Sequence, residues 1–343
     1  METPYDPAEP LAHLGGRLGT GLVEVSDDLR VLDSSGRWAV IVTYEGAVTC
    51  ARFADWRPAP VPGAPPWRGP DARSWVSSLD QAAYVAAVEE IRARIAAGTV
   101  YQANLCRVLS APLTGSPDLL PLGRLLAERH DAPHAGMIRI PDAGVHVASA
   151  SPELYLRRDG DRVASSPIKG TGRTAADLTA KDDAENVMIV DLVRNDLSRV
   201  CTTGSIAVEG LLTVEEHPGL VHLVSTVTGR LAAGHGWTEL VGATFPPGSV
   251  TGAPKSTAVR AIADLEPVPR GPYCGAVGWV DADTRQGELA VGIRTFWARD
   301  GQLRFGTGAG ITWGSDPARE WAETELKAER LVGLASATAE GDG

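Results

Sequence analysis

Between residues 274 and 308 the chain reads CGAVGWVDADTRQGELAVGIRTFWARDGQLRFGTG. Three apolar, β-branched runs, 274–281, 288–298 and 302–308, are separated by residues 281–287 and by Arg299-Asp300-Gly301, both rich in turn-forming residues. Hairpin neighbours of this kind build antiparallel sheet, so the stretch predicts an α+β fold over a doubly wound parallel one. Within Glu288–Arg294, strand alternation sets Leu289, Val291 and Ile293 on one face and Arg294 on the other. A guanidinium there suits bidentate capture of a carboxylate.

Upstream, residues 144–156 and 206–214 read as further strands. From Ser78 the period changes: Tyr84, Val88, Ile91 and Ile95 recur at three and four residues, predicting an amphipathic helix that stops at Gly98. Residues 1 to about 56 hold short runs such as Arg37–Val42 and Gly46–Cys50, a β meander. The proline-rich stretch Arg57–Pro66 is a linker or surface crossing, because proline fixes φ and removes a backbone donor. The expected organisation is a short β-rich N-terminal subdomain with its linker (1–70) and a larger unit carrying the chemistry (71–343).

The 343 residues carry a formal charge of −11. That balance repels a phosphate backbone, and no basic run interleaved with aromatics offsets it, which excludes nucleic-acid binding. No stretch approaches the ~18 to 20 consecutive apolar residues of a membrane span. The opening METPYDPAEP lacks the charged and apolar regions of a signal peptide, so a cytoplasmic protein is expected. Four scattered cysteines form no CxxC pair and suggest neither a disulfide framework nor a thiolate metal site. Of 32 basic residues only Lys169, Lys181, Lys255 and Lys327 are lysine. Where arginine dominates, a retained lysine invites the question of what a deprotonatable, compact amine does there.

Lys169 sits in Ser166-Pro167-Ile168-Lys169-Gly170-Thr171-Gly172, whose glycines let backbone approach a ligand. It is either a surface loop lysine or, with its pKa lowered by burial or a neighbouring cation, a nucleophile. Asp182 and Glu185 share one face of an acidic helix; Glu320, Glu323 and Lys327 share a face of a C-terminal helix opened by Ser315-Asp316-Pro317. Taken singly, each is a solvated helix face. Were both acidic faces to meet in one cleft, carboxylates ~6 Å apart would repel by roughly 3 kcal/mol per pair at an effective dielectric of 20, which Mg²⁺ would relieve. The amides of Gly306-Thr307-Gly308-Ala309-Gly310 could bind an anion, and His222 could line a cavity or serve as a core histidine.

In order, Tyr101-Gln102-Ala103-Asn104-Leu105, Ser151-Pro152-Glu153-Leu154, Pro167–Thr171, Ala184–Asp191, His222–Ser225, Gly252–Lys255, Ile293-Arg294-Thr295 and Glu320–Lys327 resemble the chorismate-utilising enzyme family, over roughly 75–335. Within it the chain is most similar to the branch that forms aminodeoxychorismate. Lys169 is the discriminator, since anthranilate synthases resembling this chain typically have alanine there. Isochorismate and salicylate synthases place a water-activating lysine where Gln102 stands.

The resemblance implies two large antiparallel sheets packed as a sandwich with helices outside, and 71–343 as the chorismate-binding catalytic domain. It implies Lys169 as nucleophile at C2 of the ring, Glu153 as acid for the departing C4 hydroxyl, and His222 beside the reacting ring. Glu185 and Glu323 would bind Mg²⁺, with Asp182 and Glu320 holding its waters. Tyr273, Arg294, Gly308 and Gly310 would take the pyruvyl carboxylate; Lys327, Gly170, Thr171, Thr251 and Gln102 complete the substrate-binding set. Ammonia would come from a separate glutamine amidotransferase subunit (component II), since no glutaminase elbow is present. The rivals are an anthranilate synthase component I, a silent chorismate-binding or amidotransferase-partner subunit, and a Schiff-base lysine enzyme. Val31-Leu32-Asp33-Ser34 only faintly echoes the family's tryptophan-pocket segment, so tryptophan feedback is not expected.

Overall fold

The computed structural model describes residues 5–130, 132–172, 174–217 and 220–336. Among them, strands and helices mix as α+β, and the eighteen strands form one continuous hydrogen-bonded network. Every strand pairing is antiparallel. The two expected sheets are therefore joined through shared strands.

Both expected hairpins form. Ala276–Asp281 pairs with Gln286–Val291, and Thr295–Arg299 pairs with Gln302–Ile311, where Phe296 faces Phe305. The run expected as one strand, 288–298, is two, because Gly292-Ile293-Arg294 leaves the ladder and Arg294 adopts φ +51°. Strand alternation accordingly ends at Val291, and it does not determine the side on which Arg294 lies. A Cβ on Gly292 would sit 2.0 Å from the Pro272 carbonyl oxygen, so that close approach requires glycine. The run expected at 144–156 divides likewise into Val145–Ser151 and Leu154–Asp159, parted by Pro152, which has no N–H for the ladder. The two interruptions are neighbours: Gln286–Val291 pairs with Leu154–Asp159, and Thr295–Arg299 with Val145–Ser151. Glu153 is thus set at a shared gap between strand pairs, anchored by Val291 N–H donating to its carbonyl at 3.0 Å.

The helix expected after Ser78 is α1 (Gln81–Ala96), capped by Asp80 accepting from Ala83 N–H, and Gly98 follows it at φ +72°. The others are α2 (Leu120–Arg129), α3 (Ala180–Ser198), α4 (Trp237–Thr244), α5 (Lys255–Leu265) and α6 (Pro317–Ala335). The N-terminal segment is bound into the network by backbone pairing: Arg37–Val42 pairs with Ala276–Asp281, and Leu11–Leu14 with His134–Ile140. Residues 59–71 have no regular structure, as their prolines require. Apolar burial falls into three clusters, centred on Trp38 and Trp237, on Phe296 and Phe305, and on Tyr84 and Ile91. Each such buried chain contributes roughly 1.5–3 kcal/mol. No helix among the described residues is long and apolar enough to cross a membrane.

Candidate active site

Lys169 lies on the strand Ile168–Gly172, whose register against Leu220–Arg230 shifts between Ile168 and Thr171, with Gly170 at φ +86°. This irregularity, built from the glycines flagged in the sequence, releases Lys169 from strict alternation. Across from it stands Gly310, on the strand paired with Gln102–Pro112. A Cβ built on Gly310 would lie 2.5 Å from Gln102 Nε2 and 3.4 Å from Lys169 Nζ. Glycine at 310 is what lets the amide and the amine approach the same spot. Gln102 is fully buried and its Oε1 has no hydrogen-bond partner.

Glu153 is 4 % exposed, and burial pushes its carboxyl up to about 7, against the opposing effects of the Ser249 hydroxyl bonded to it and of Lys169. For Lys169 the direction is opposite: desolvation lowers its pKa, Glu185 raises it, Lys327 lowers it, and Glu153 and Glu323 raise it. Four charged side chains, from the Pro152-Glu153 gap and from two helices, therefore act on Lys169 on its strand. A half-buried amine with a lowered pKa near a carboxyl pushed up to about 7 has the chemistry that a nucleophile and an acid require.

The helix ends deliver the carboxylates. Thr179 caps α3, with Asp182 Oδ2 accepting from Thr179 N–H at 2.8 Å and from its hydroxyl at 2.6 Å. Asp182 also packs on Gly170, where a Cβ would meet its Cβ at 2.9 Å, so Asp182 seats the helix that carries Glu185 against the lysine's turn. On α6, capped by Asp316, Glu320 is buried and Glu323 pairs with Lys327 at 2.6 Å. Lys327 also donates to the Gly308 carbonyl at 3.1 Å.

The other expected residues have the following surroundings. Tyr273 is buried with its ring over Gly306, and its hydroxyl accepts from Cys106 Sγ at 3.7 Å. Arg294 Nη1 is 3.4 Å from His130 Nε2, and burial followed by the charge of Arg330 lowers its pKa. His222 is buried opposite Thr171 and Glu215 in the ladders. Thr171 is described in its backbone; its side chain lies outside the described residues. Thr251 donates to the Pro247 carbonyl at 3.0 Å and its own carbonyl accepts from Asn104 N–H, tying two loops together. Asp33, of the faint tryptophan-pocket echo, bonds Arg158 and the Trp237 N–H. Ser249 was not foreseen; the only available signal was its place in the Phe245–Pro254 segment, as rich in glycine and proline as the Lys169 turn.

Among the described residues no three Asp, Glu, His or Cys side chains converge as a self-sufficient metal site. Glu185 and Glu323, both acting on Lys169, still fit Mg²⁺, which takes one or two carboxylates and completes its shell with water and an anionic substrate.

Residues 45–333 match the family described as chorismate binding enzyme. The chain is 37% identical over 339 residues to the anthranilate synthase component 1 of Streptomyces coelicolor, covering 90% of this chain and 65% of that protein. It is 33% identical over 347 residues to the aminodeoxychorismate synthase component 1 of Klebsiella aerogenes, covering 96% and 75%. Among solved structures, the anthranilate synthase component I of Streptococcus pneumoniae superposes with a TM-score of 0.77 at 24% identity, covering 96% and 91%. The menaquinone-specific isochorismate synthase of Escherichia coli gives 0.80 at 19%, covering 97% and 92%.

Proposed function

From the premise that this chain belongs to the chorismate binding enzyme family, we propose that it is component I of an aminodeoxychorismate synthase, aminating chorismate at C4. The observation that carries the reading is the half-buried Lys169 with the buried Glu153, one amine with a lowered pKa and one acid held near 7. Neutral Lys169 attacks C2 while Glu153 protonates the C4 hydroxyl; the C2–N bond forms, the ring double bonds shift and the C4–O bond breaks, releasing water. Ammonia then adds at C4, the double bonds shift back and the C2–N bond to Lys169 breaks. Gln102, whose amide nitrogen meets the lysine's surroundings at Gly310, helps fix the amine's position, and the buried cleft keeps bulk water from competing. Mg²⁺ held by Glu185 and Glu323, with Asp182 and Glu320 nearby, would supply positive charge for the ring carboxylate. Gly308, Gly310, Tyr273, Arg294 and Lys327 are the candidates for the pyruvyl carboxylate, with His222 beside the ring.

The reaction takes place in the cytoplasm, with ammonia supplied by a separate glutamine amidotransferase, and feeds p-aminobenzoate and folate or a related route. Mass spectrometry of products from chorismate, Mg²⁺ and ammonium tests it. Aminodeoxychorismate that disappears in Lys169→Ala supports the reading. Anthranilate from the wild type shifts it to the second reading, favoured by the identity to the Streptomyces coelicolor relative. Lys169 weighs against that rival, since amination at C2 has no use for a nucleophile attacking C2.

A further inference from the structure

A cavity of about 20 Å³ opens beside Glu153, with Ser249, Tyr155, Ser165, Thr244 and Asp196 on its wall. That volume exceeds the ~10–15 Å³ a water needs, and the polar lining gives it partners. At the far wall Asp196, its side chain 5% exposed, bonds Lys255 Nζ at 2.5 Å and Arg199 Nη2 at 2.6 Å. The Arg199 side chain is 53% exposed, so Asp196 stands one residue from solvent. Lys255 also donates to the Thr244 carbonyl at 2.6 Å, which locks α5 and α4 around the carboxylate of α3.

The chemistry makes a demand on this geometry. Ammonia enters neutral, the hydroxyl leaves as water, and an aliphatic amine product leaves as ammonium near pH 7, so chorismate, NH3 and one proton give the aminated product and water. The proton passes through Glu153, which is 4% exposed and covered when substrate fills the cleft. We propose that water in this cavity links Glu153 to Asp196, and that Asp196 is the relay through which the acid regains its proton from solvent. This rests on the reading of Glu153 as the acid.

Asp196 touches neither substrate nor the reacting atoms and acts only through Glu153. Burial raises its carboxyl above the ordinary value, while Lys255 and Arg199 hold it down. The groups that face this path are Lys169 and Ser249 at Glu153, Tyr155 on the strand that follows it, and Lys255 from α5 and Arg199 at the C-terminal cap of α3 at Asp196.

Asp196→Asn alone strands Lys255 in a buried setting and risks the fold. The double variant Asp196→Asn/Lys255→Met, which removes both charges at similar volume, is therefore assayed beside Asp196→Glu. The expected result is a kcat at least about tenfold lower in the double variant with KM for chorismate unchanged, rising toward the wild-type value as imidazole buffer is added at fixed pH and ionic strength. Asp196→Glu should keep the wild-type rate and its indifference to buffer. A double variant with wild-type kcat, or one slowed without response to imidazole, overturns the relay. A wild type that makes no product from chorismate overturns the reading of Glu153 together with it, and product identification on the same samples separates the two failures.

Discussion

Replacing Glu153 with Gln should stabilise the protein while disabling it. The buried carboxyl has a folded-state pKa of about 7 against an ordinary value of 4.5. A raised acid favours the protonated form in the fold, so below pH 4.5 both states are protonated and the residue is neutral in effect. As pH climbs toward 7 the unfolded chain ionises freely and the folded one does so against desolvation, and stability is lost through that window. At about 1.4 kcal/mol per pH unit the gap amounts to about 3 kcal/mol above pH 7. Glutamine matches the protonated carboxyl in shape and can still accept from Ser249. Urea unfolding of both proteins should therefore show equal stability near pH 4 and a Glu153→Gln advantage that grows to about 3 kcal/mol by pH 8, with kcat lower by about 10²–10⁴-fold. A difference that does not vary with pH, or a wild type that gains on the variant as pH rises, would falsify the assignment of Glu153 as a desolvated acid.

Gly310→Ala places a methyl 2.5 Å from Gln102 Nε2 and 3.4 Å from Lys169 Nζ, so overpacking should cost about 1–3 kcal/mol in a melt. Its displacement of the lysine should lower kcat by on the order of 10²-fold in the chorismate assay. Lys327→Met removes the Lys327–Glu323 ion pair; both side chains are about half exposed, so stability should change by less than about 1 kcal/mol. Calorimetric titration of the variant with Mg²⁺ should show tighter binding than the wild type, and equal affinities would remove Glu323 from the metal set. Arg139→Met should cost about 3–5 kcal/mol in chemical denaturation, because it leaves Asp118 buried without its 2.9 Å partner.

The hairpins at 276–291 and 295–311 were legible because turn chemistry and β-branched runs are local signals. The gaps at Pro152-Glu153 and Gly292-Ile293-Arg294 were less so. They arise where two neighbouring strand pairs part together, and that partnership spans about 140 residues of sequence. Lys169 was legible through its glycine-flanked turn and the scarcity of lysine. Its lowered pKa was not, since that depends on burial and on Glu185, Lys327, Glu153 and Glu323 arriving from distant segments. Capping by Asp182 could have been read from Thr179-Ala180-Lys181-Asp182, a Thr with an acid three residues on. Lys255 was marked by the same scarcity of lysine and by its place in Gly252–Lys255, whereas Ser249 and Asp196 offered no periodicity or motif that marks a wall behind an acid.

The placement of the few lysines has a spectroscopic consequence. Lys169 stands against Gly310, Lys327 bridges Glu323 and the Gly308 carbonyl, and Lys255 holds Asp196. Lysine labelled with ¹⁵N or ¹³C at its terminal positions would thus give a nuclear magnetic resonance spectrum of only four side chains, three of them reporting from in or beside one cleft. Titrating that sample with acid, Mg²⁺ or chorismate would read the protonation and pairing of each amine directly, without modifying a single residue.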